Sequence, residues 1–169
     1  MIKCFFNQGD AQGLYAGLAD VRMTGKREAD FSMHDCFEMC LNQEQMKSMS
    51  GLSLAYVGDA VYELMVRAWL CAAGSRTNGD LHAAAVRYVS AQAQAAFMEK
   101  LLPLLSEEET AVYKRGRNAR VNAIPIHATP GQYHAATGFE ALFGHLWLTG
   151  QHERLNELFN WITEENNAS

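Results

Sequence analysis

Apolar residues recur every three or four positions along most of the chain from residue 42 onward, and this spacing is the period of an α-helix. Only 3 prolines interrupt the 169 residues, while alanine and leucine, which favour helices, are abundant. No segment shows two runs of alternating apolar and polar residues joined by the turn that a β-hairpin requires. The sequence therefore predicts an all-α fold.

Capping residues divide this pattern into individual helices. Ser50 or Ser53 is placed to begin a helix that Gly74 would end. The pattern then predicts one helix near 80–102, a third beginning at Ser106, a loop over 116–130, and helices near 131–149 and 151–165.

Residues 1–32 lack this periodicity and contain several glycines, so we expect a weakly ordered N-terminal extension before a helical domain over 33–169. Alternative starts are Met33, Met39 and Met46, and we expect the functional chain to begin near Met33. No apolar run approaches the roughly 20 residues of a membrane span, and the N-terminus lacks a secretory signal. The 4 cysteines are too few for a disulfide scaffold. We therefore expect free thiols, a cytoplasmic location and no membrane partner.

Three acids interrupt otherwise apolar helices: Asp59, Glu63 and Glu140. Because an unpaired buried carboxylate is costly, each group must be paired, protonated, bound to a metal or turned to water. Taken singly, each is best explained as a surface acid at the edge of a helix. Small residues beside Asp59 and Glu140 alter this interpretation, because they leave room for a ligand or for close backbone approach. If their helices pack, both carboxylates would converge on one Mg²⁺.

Four of the chain's 14 basic residues lie in "KRGRNAR", residues 114–120, although the net charge of the whole chain is −5. Lys and Arg bind phosphates, and a turn at Gly116 would aim them at one. The dipole of a helix C-terminus explains Lys114 and Arg115 but not Arg117 and Arg120. We therefore predict that all four side chains contact phosphate.

Two segments taken together resemble the ribonuclease III family. The stretch "LAYVGDAVYEL" (54–64) is similar to the family's signature helix, of the form L-x-x-x-G-D-A-V, and "TGFEALFGHLWL" (137–148) is similar to its second acidic motif. Between them, "NGDLHAAAVRYVSAQAQA" and "YKRGRNA" resemble the short branch of the family, mini-ribonuclease III. The resemblance covers roughly residues 42–163.

This resemblance implies the family's all-helical endonuclease fold, a two-fold homodimer, and Mg²⁺-dependent cleavage of double-stranded RNA. In the short branch it implies maturation of 23S ribosomal RNA precursor ends, and it leaves a ribosomal-protein helper open. It places Asp59 and Glu140 on the family's catalytic, metal-binding acids, with Glu63 as a secondary candidate.

The sequence departs from the longer family members at two positions. Those members carry a glutamate at the position of Ala55 and an aspartate at that of Thr137, so the resemblance implies fewer acidic metal ligands here. The chain also ends soon after its last predicted helix. We therefore expect a catalytic domain without an appended double-stranded-RNA-binding domain.

Two other classes of protein remain open. One is a dimeric helical module that binds RNA but lost catalysis together with the acids at positions 55 and 137. The other is an all-α, Mg²⁺-dependent nucleotide pyrophosphatase, which also presents carboxylates on helices. Such an enzyme needs more acids at E-x-x-E spacing, and "EEE" at 107–109 has no partner tract.

Overall fold

The structure is a computed structural model that describes residues 40–74, 77–120 and 128–167, with side chains described to residue 164. Within these ranges there are seven α-helices, one 3₁₀ turn and no β-strand, which confirms the predicted all-α class. None of these helices is both long enough and apolar enough to cross a membrane. The predicted extension over 1–32 lies outside the described residues.

The helices are α1 (Gln43–Ser48), α2 (Gly51–Ala72), α3 (Asn78–Val89), α4 (Ala91–Leu101), α5 (Glu107–Arg117), α6 (Pro130–Leu148) and α7 (His152–Asn167), with the 3₁₀ turn at Leu102–Leu104.

Side-chain caps begin α2 and α5 as the sequence predicts. The hydroxyl of Ser50 accepts the backbone N–H of Ser53 at 3.0 Å, so Ser50 is the N-cap of α2. Ser106 and Glu109 form the capping box of α5, with reciprocal hydrogen bonds of 3.1 and 2.7 Å. Gly74 follows α2 with a φ of 139°, a conformation that glycine adopts without steric cost.

The single helix predicted near 80–102 is wrong, because the chain divides there into α3 and α4. Ser90 leaves the helical conformation, with φ −69° and ψ 146°, and its hydroxyl accepts the N–H of Ala93 as the N-cap of α4. Serine is compatible with both a helix interior and a cap, so the alanine-rich pattern around Ser90 predicted a continuous helix.

The central helix is α6, against which α2, α4 and α5 pack. Its side chains are buried around most of its circumference, as expected for a helix that is apolar on nearly all sides. Tyr62 of α2 meets Phe139 and Phe143 of α6 edge-on, with ring centroids 4.8 and 5.1 Å apart. This contact fixes the relative position of the two helices that carry Asp59 and Glu140.

At one point the backbones of α2 and α6 touch. A Cβ atom on Gly58 would overlap the carbonyl oxygen of Glu140, and a Cβ on Gly144 would overlap that of Leu54. Both positions therefore require glycine, because any side chain would force the helices apart. The crossing places Asp59, the residue after Gly58, beside the segment of α6 that carries Glu140.

An ion pair attaches α7 to the start of α5. Arg154 Nε donates to Glu109 Oε1 at 2.8 Å, and Arg154 Nη2 donates to the Leu104 carbonyl at 2.8 Å. Burial acts to raise the pKa of Glu109, but the Arg154 guanidinium and the Ser106 backbone N–H outweigh it and hold the pKa below its ordinary value. The ionised carboxylate is therefore the form that the folded protein stabilises.

Candidate active site

Asp59 and Glu140, the two acids predicted to share a cation, lie beside the crossing of α2 and α6. Both side chains are half-buried, so each has partial access to water from largely apolar surroundings. The Glu140 carbonyl lies against Gly58, and the two carboxyl groups are near enough for the Asp59 charge to act on Glu140. Their roles as catalytic and metal-binding residues stay predictions.

Both carboxyl groups hold their protons more tightly than usual. Burial, followed by repulsion from the Glu63 carboxylate, raises the pKa of Asp59. Burial, followed by repulsion from Asp59, raises the pKa of Glu140 to about 8. A proton or a divalent cation relieves the repulsion between two neighbouring carboxylates. The pair is therefore suited to binding a cation.

The oxygen donors of this pair fit a hard cation. Mg²⁺ commonly uses one or two carboxylates and retains several waters, and Asp59 and Glu140 both keep partial contact with solvent. Among the residues that the structure describes, no group of three or more His, Cys, Asp or Glu is arranged to hold a metal ion.

Ala55 and Thr137, where the longer relatives carry acids, add no ligand to the pair. Ala55 is buried and belongs to an apolar cluster that includes Leu54 and Val112. Thr137 is 4% exposed, and its hydroxyl donates to the carbonyl of Tyr133 at 3.0 Å. Ala55 therefore contributes to helix packing, and Thr137 hydrogen-bonds to the backbone of its own helix.

Glu63, the secondary candidate, is engaged by an arginine one turn later on α2. It is 6% exposed, and its Oε1 accepts a hydrogen bond from Arg67 Nε at 3.2 Å. Its negative charge still raises the pKa of Asp59. Glu63 thus influences the site through its charge, while a direct role in catalysis stays a prediction.

The four predicted phosphate-binding side chains are exposed at the C-terminal end of α5 and just beyond it. The turn predicted at Gly116 is wrong, because this residue is buried within α5, and a Cβ on it would overlap Ala141. Gly116 therefore allows α5 to approach α6 close to Glu140. The predicted loop begins only after α5, and its residues 121–127 lie outside the described residues. The four side chains are Lys114, Arg115, Arg117 and Arg120.

The sequence did not single out one polar residue that contacts this site. Gln94 of α4 is 1% exposed, and its amide lies by the Glu140 carboxyl group, where it opposes the rise in pKa. Its Nε2 stops short of hydrogen-bonding geometry with any acceptor in the described part of the chain. The available signal was a glutamine on the face of an alanine-rich helix that also carries Met98 and Leu101.

Comparisons with known proteins identify the family to which the chain is similar. The Ribonuclease III domain family matches residues 52–151. Mini-ribonuclease 3 of Enterococcus faecalis is 50% identical over 121 residues, covering 70% of this chain and 92% of that protein. Mini-ribonuclease 3 of Symbiobacterium thermophilum is 52% identical over 107 residues, covering 63% of this chain and 82% of that protein. A crystal structure of a Fusobacterium nucleatum protein matches with a TM-score of 0.67 at 28% identity, covering 72% of this chain and 97% of that one.

The family match contains the elements that build the site. It includes both acids at the crossing of α2 and α6 and the basic end of α5. The two mini-ribonuclease 3 relatives match over most of their own length. The chain therefore belongs to the ribonuclease III family, in its Mini-ribonuclease 3 branch, and is an endoribonuclease.

Proposed function

We propose that this endoribonuclease cuts double-stranded RNA with Mg²⁺ held between Asp59 and Glu140. The observation that carries the proposal is the pair of partly buried carboxyl groups, Asp59 and Glu140, that the helix crossing at Gly58 brings together. In the empty site the raised pKa keeps a proton on Glu140 at neutral pH, and a divalent cation would displace that proton and favour both carboxylates in their ionised form. The names of the relatives support the ribonuclease activity.

The chain's own residues would fix the geometry of the reaction. A bound Mg²⁺ supplies a water of lowered pKa and neutralises charge on the attacked phosphate. Asp59 and Glu140 would hold the ion from two different helices, and the glycine contact between those helices sets their separation. By family resemblance, the products carry a 5′-phosphate and a 3′-hydroxyl.

The basic end of α5 would bind the RNA backbone. Lys114, Arg115, Arg117 and Arg120 are exposed cations, and α5 is held against the α6 segment that carries Glu140. Double-stranded RNA is recognised mainly through its shape, phosphates and 2′-hydroxyls, so contacts of this type need little base readout. The proposal therefore assigns these four residues to substrate binding.

A second copy of the chain would complete the enzyme as a homodimer. Residues spaced four apart along α2 form an exposed apolar stripe: Leu52, Tyr56, Ala60, Leu64 and Ala68. Tyr56 is 83% exposed and Leu64 is 55% exposed, which is unusual for side chains of this size. If a second copy related by two-fold symmetry packed its own stripe against this one, both stripes would be buried. Two sites would then face the two strands of one duplex.

The natural substrate under this proposal is the 23S ribosomal RNA precursor in the cytoplasm. The support is the resemblance to the short branch of the family. A comparison of precursor cleavage with and without its bound ribosomal proteins tests whether one of them acts as a helper.

The decisive experiment compares three substrates in the presence of Mg²⁺: long double-stranded RNA, single-stranded RNA and nucleoside triphosphates. Cleavage of the double-stranded RNA alone, abolished by Asp59→Asn and by Glu140→Gln, is the expected result. Glu99→Gln, which removes an exposed acid from α4, is the matched control and should remain active.

Two outcomes would select the other classes of protein. RNA binding without cleavage by the wild type would identify a binding module. Triphosphate hydrolysis without RNA cleavage would identify a pyrophosphatase. Full activity of the Asp59→Asn variant would remove this residue from the metal site.

A further inference from the structure

Gln94 is a polar side chain in a position that its helix otherwise gives to apolar residues. It lies on the face of α4 that includes Ala95, Met98 and Leu101, and this face packs against α6. Its exposed fraction is 1%, less than that of most apolar residues in the core. Burying an amide without a hydrogen-bond partner costs about 1–3 kcal/mol, so an apolar residue would stabilise the metal-free fold better.

Gln94 is buried where its helix packs against the helix that carries Glu140, and its amide is close enough to act on the Glu140 carboxyl group. Two influences disfavour the ionised form of the Glu140 carboxyl group: its burial and the charge of Asp59. Within the described part of the chain, the Gln94 amide acts in the opposite direction and favours the ionised form. The Nε2 atom, however, completes no hydrogen bond within the described residues. A buried amide donor beside a carboxyl group is placed to hydrogen-bond that group once it is ionised.

We propose that Gln94 is a positioning residue for the cation site: its Nε2–H donates to one Glu140 carboxylate oxygen and leaves the other oxygen for the ion. This inference rests on the proposed function. Residues that hydrogen-bond a metal ligand fix its orientation, and their loss typically weakens metal affinity by about 10–100-fold. Such support matters most here because the site has only two acids among the described residues, so each ligand must be well oriented.

The test replaces the amide without changing the volume of the side chain. Gln94→Met removes the donor and fills the same space, and Gln94→Leu is a second apolar variant for the case that methionine packs poorly. Gln92→Met is the matched control, because Gln92 is exposed two residues earlier on the same helix. Isothermal titration calorimetry with Mn²⁺ alone measures the affinity of the metal site directly.

The expected result is about 10–100-fold weaker Mn²⁺ binding for the Gln94 variants and wild-type affinity for Gln92→Met. The Mg²⁺ concentration that half-saturates cleavage should rise in parallel, while metal-free binding of double-stranded RNA stays unchanged. Folded Gln94 variants with wild-type Mn²⁺ affinity would overturn the inference and leave the proposed function intact. If the wild type itself bound no Mn²⁺, or if Asp59→Asn bound it equally well, the proposed metal site would fail instead.

Discussion

The Glu140 carboxylate is expected to destabilise the metal-free protein at alkaline pH. Its pKa rises from an ordinary 4.5 to about 8 in the folded protein, because of burial and the neighbouring Asp59 charge. The folded state therefore binds the proton more tightly than the unfolded state does. As the pH rises from 4.5 through 8, ionisation of Glu140 lowers the free energy of unfolding, and below 4.5 both states are protonated and the effect disappears.

Replacing Glu140 by Gln removes this ionisation and keeps the shape of the side chain. Taken in full, a pKa rise of this size corresponds to about 5 kcal/mol. Glu140 is half-buried and water screens its charge, so we expect Glu140→Gln to gain about 1–2 kcal/mol above pH 8. In a chain of this size, that gain raises the melting temperature by about 4 °C.

Thermal and urea unfolding with a chelator, repeated from pH 4 to pH 9, measures this difference. The gap between Glu140→Gln and the wild type should widen with pH, while Glu99→Gln, the exposed control, should show no such trend. Added Mg²⁺ should stabilise the wild type and leave Glu140→Gln unaffected, since only the wild type keeps both ligands. A Glu140→Gln variant that is less stable than the wild type at pH 9 would refute the argument.

Three further changes test the α2–α6 backbone contact, the α5–α7 ion pair and the proposed dimer. Gly58→Ala should lower the free energy of unfolding by about 3 kcal/mol, measured with urea, because its Cβ overlaps the α6 backbone. Gly79→Ala is the control and should be neutral or stabilising, because its Cβ meets nothing nearer than 3.8 Å. Equal effects of the two changes would contradict the close contact at Gly58. Glu109→Gln should lose about 2 kcal/mol at pH 7. That loss should shrink in acid, because the stabilisation from a lowered carboxylate pKa is present above 4.5 and disappears as the pH falls through the folded pKa; a pH-independent loss would exclude the ion pair as its cause. Tyr56→Glu should sediment as a monomer while Val86→Glu, another exposed apolar residue, stays dimeric; a dimeric Tyr56→Glu would place the interface elsewhere.

Local sequence determined the starts of some helices and the candidate residues. Ser50, and the pair Ser106 and Glu109, specify helix starts because a cap involves only residues within one turn. Asp59 and Glu140 were identifiable because an acid flanked by small and apolar residues on a helix requires an explanation. The class of fold and the candidate acids therefore followed from residues that are neighbours in the chain.

Tertiary structure decided what each of these residues contacts. Gly116 resembled a turn residue in the sequence, but it is helical because α6 needs its backbone close to α5. The break at Ser90 is a local cap, but serine is equally compatible with a helix interior, so the alanine-rich pattern alone did not reveal it. The sequence gives Gln94 no evident role, and only the packing of α4 against α6 places it beside Glu140. Caps and periodicity act within a turn of helix, whereas these contacts join distant parts of the chain and depend on the packing of whole helices.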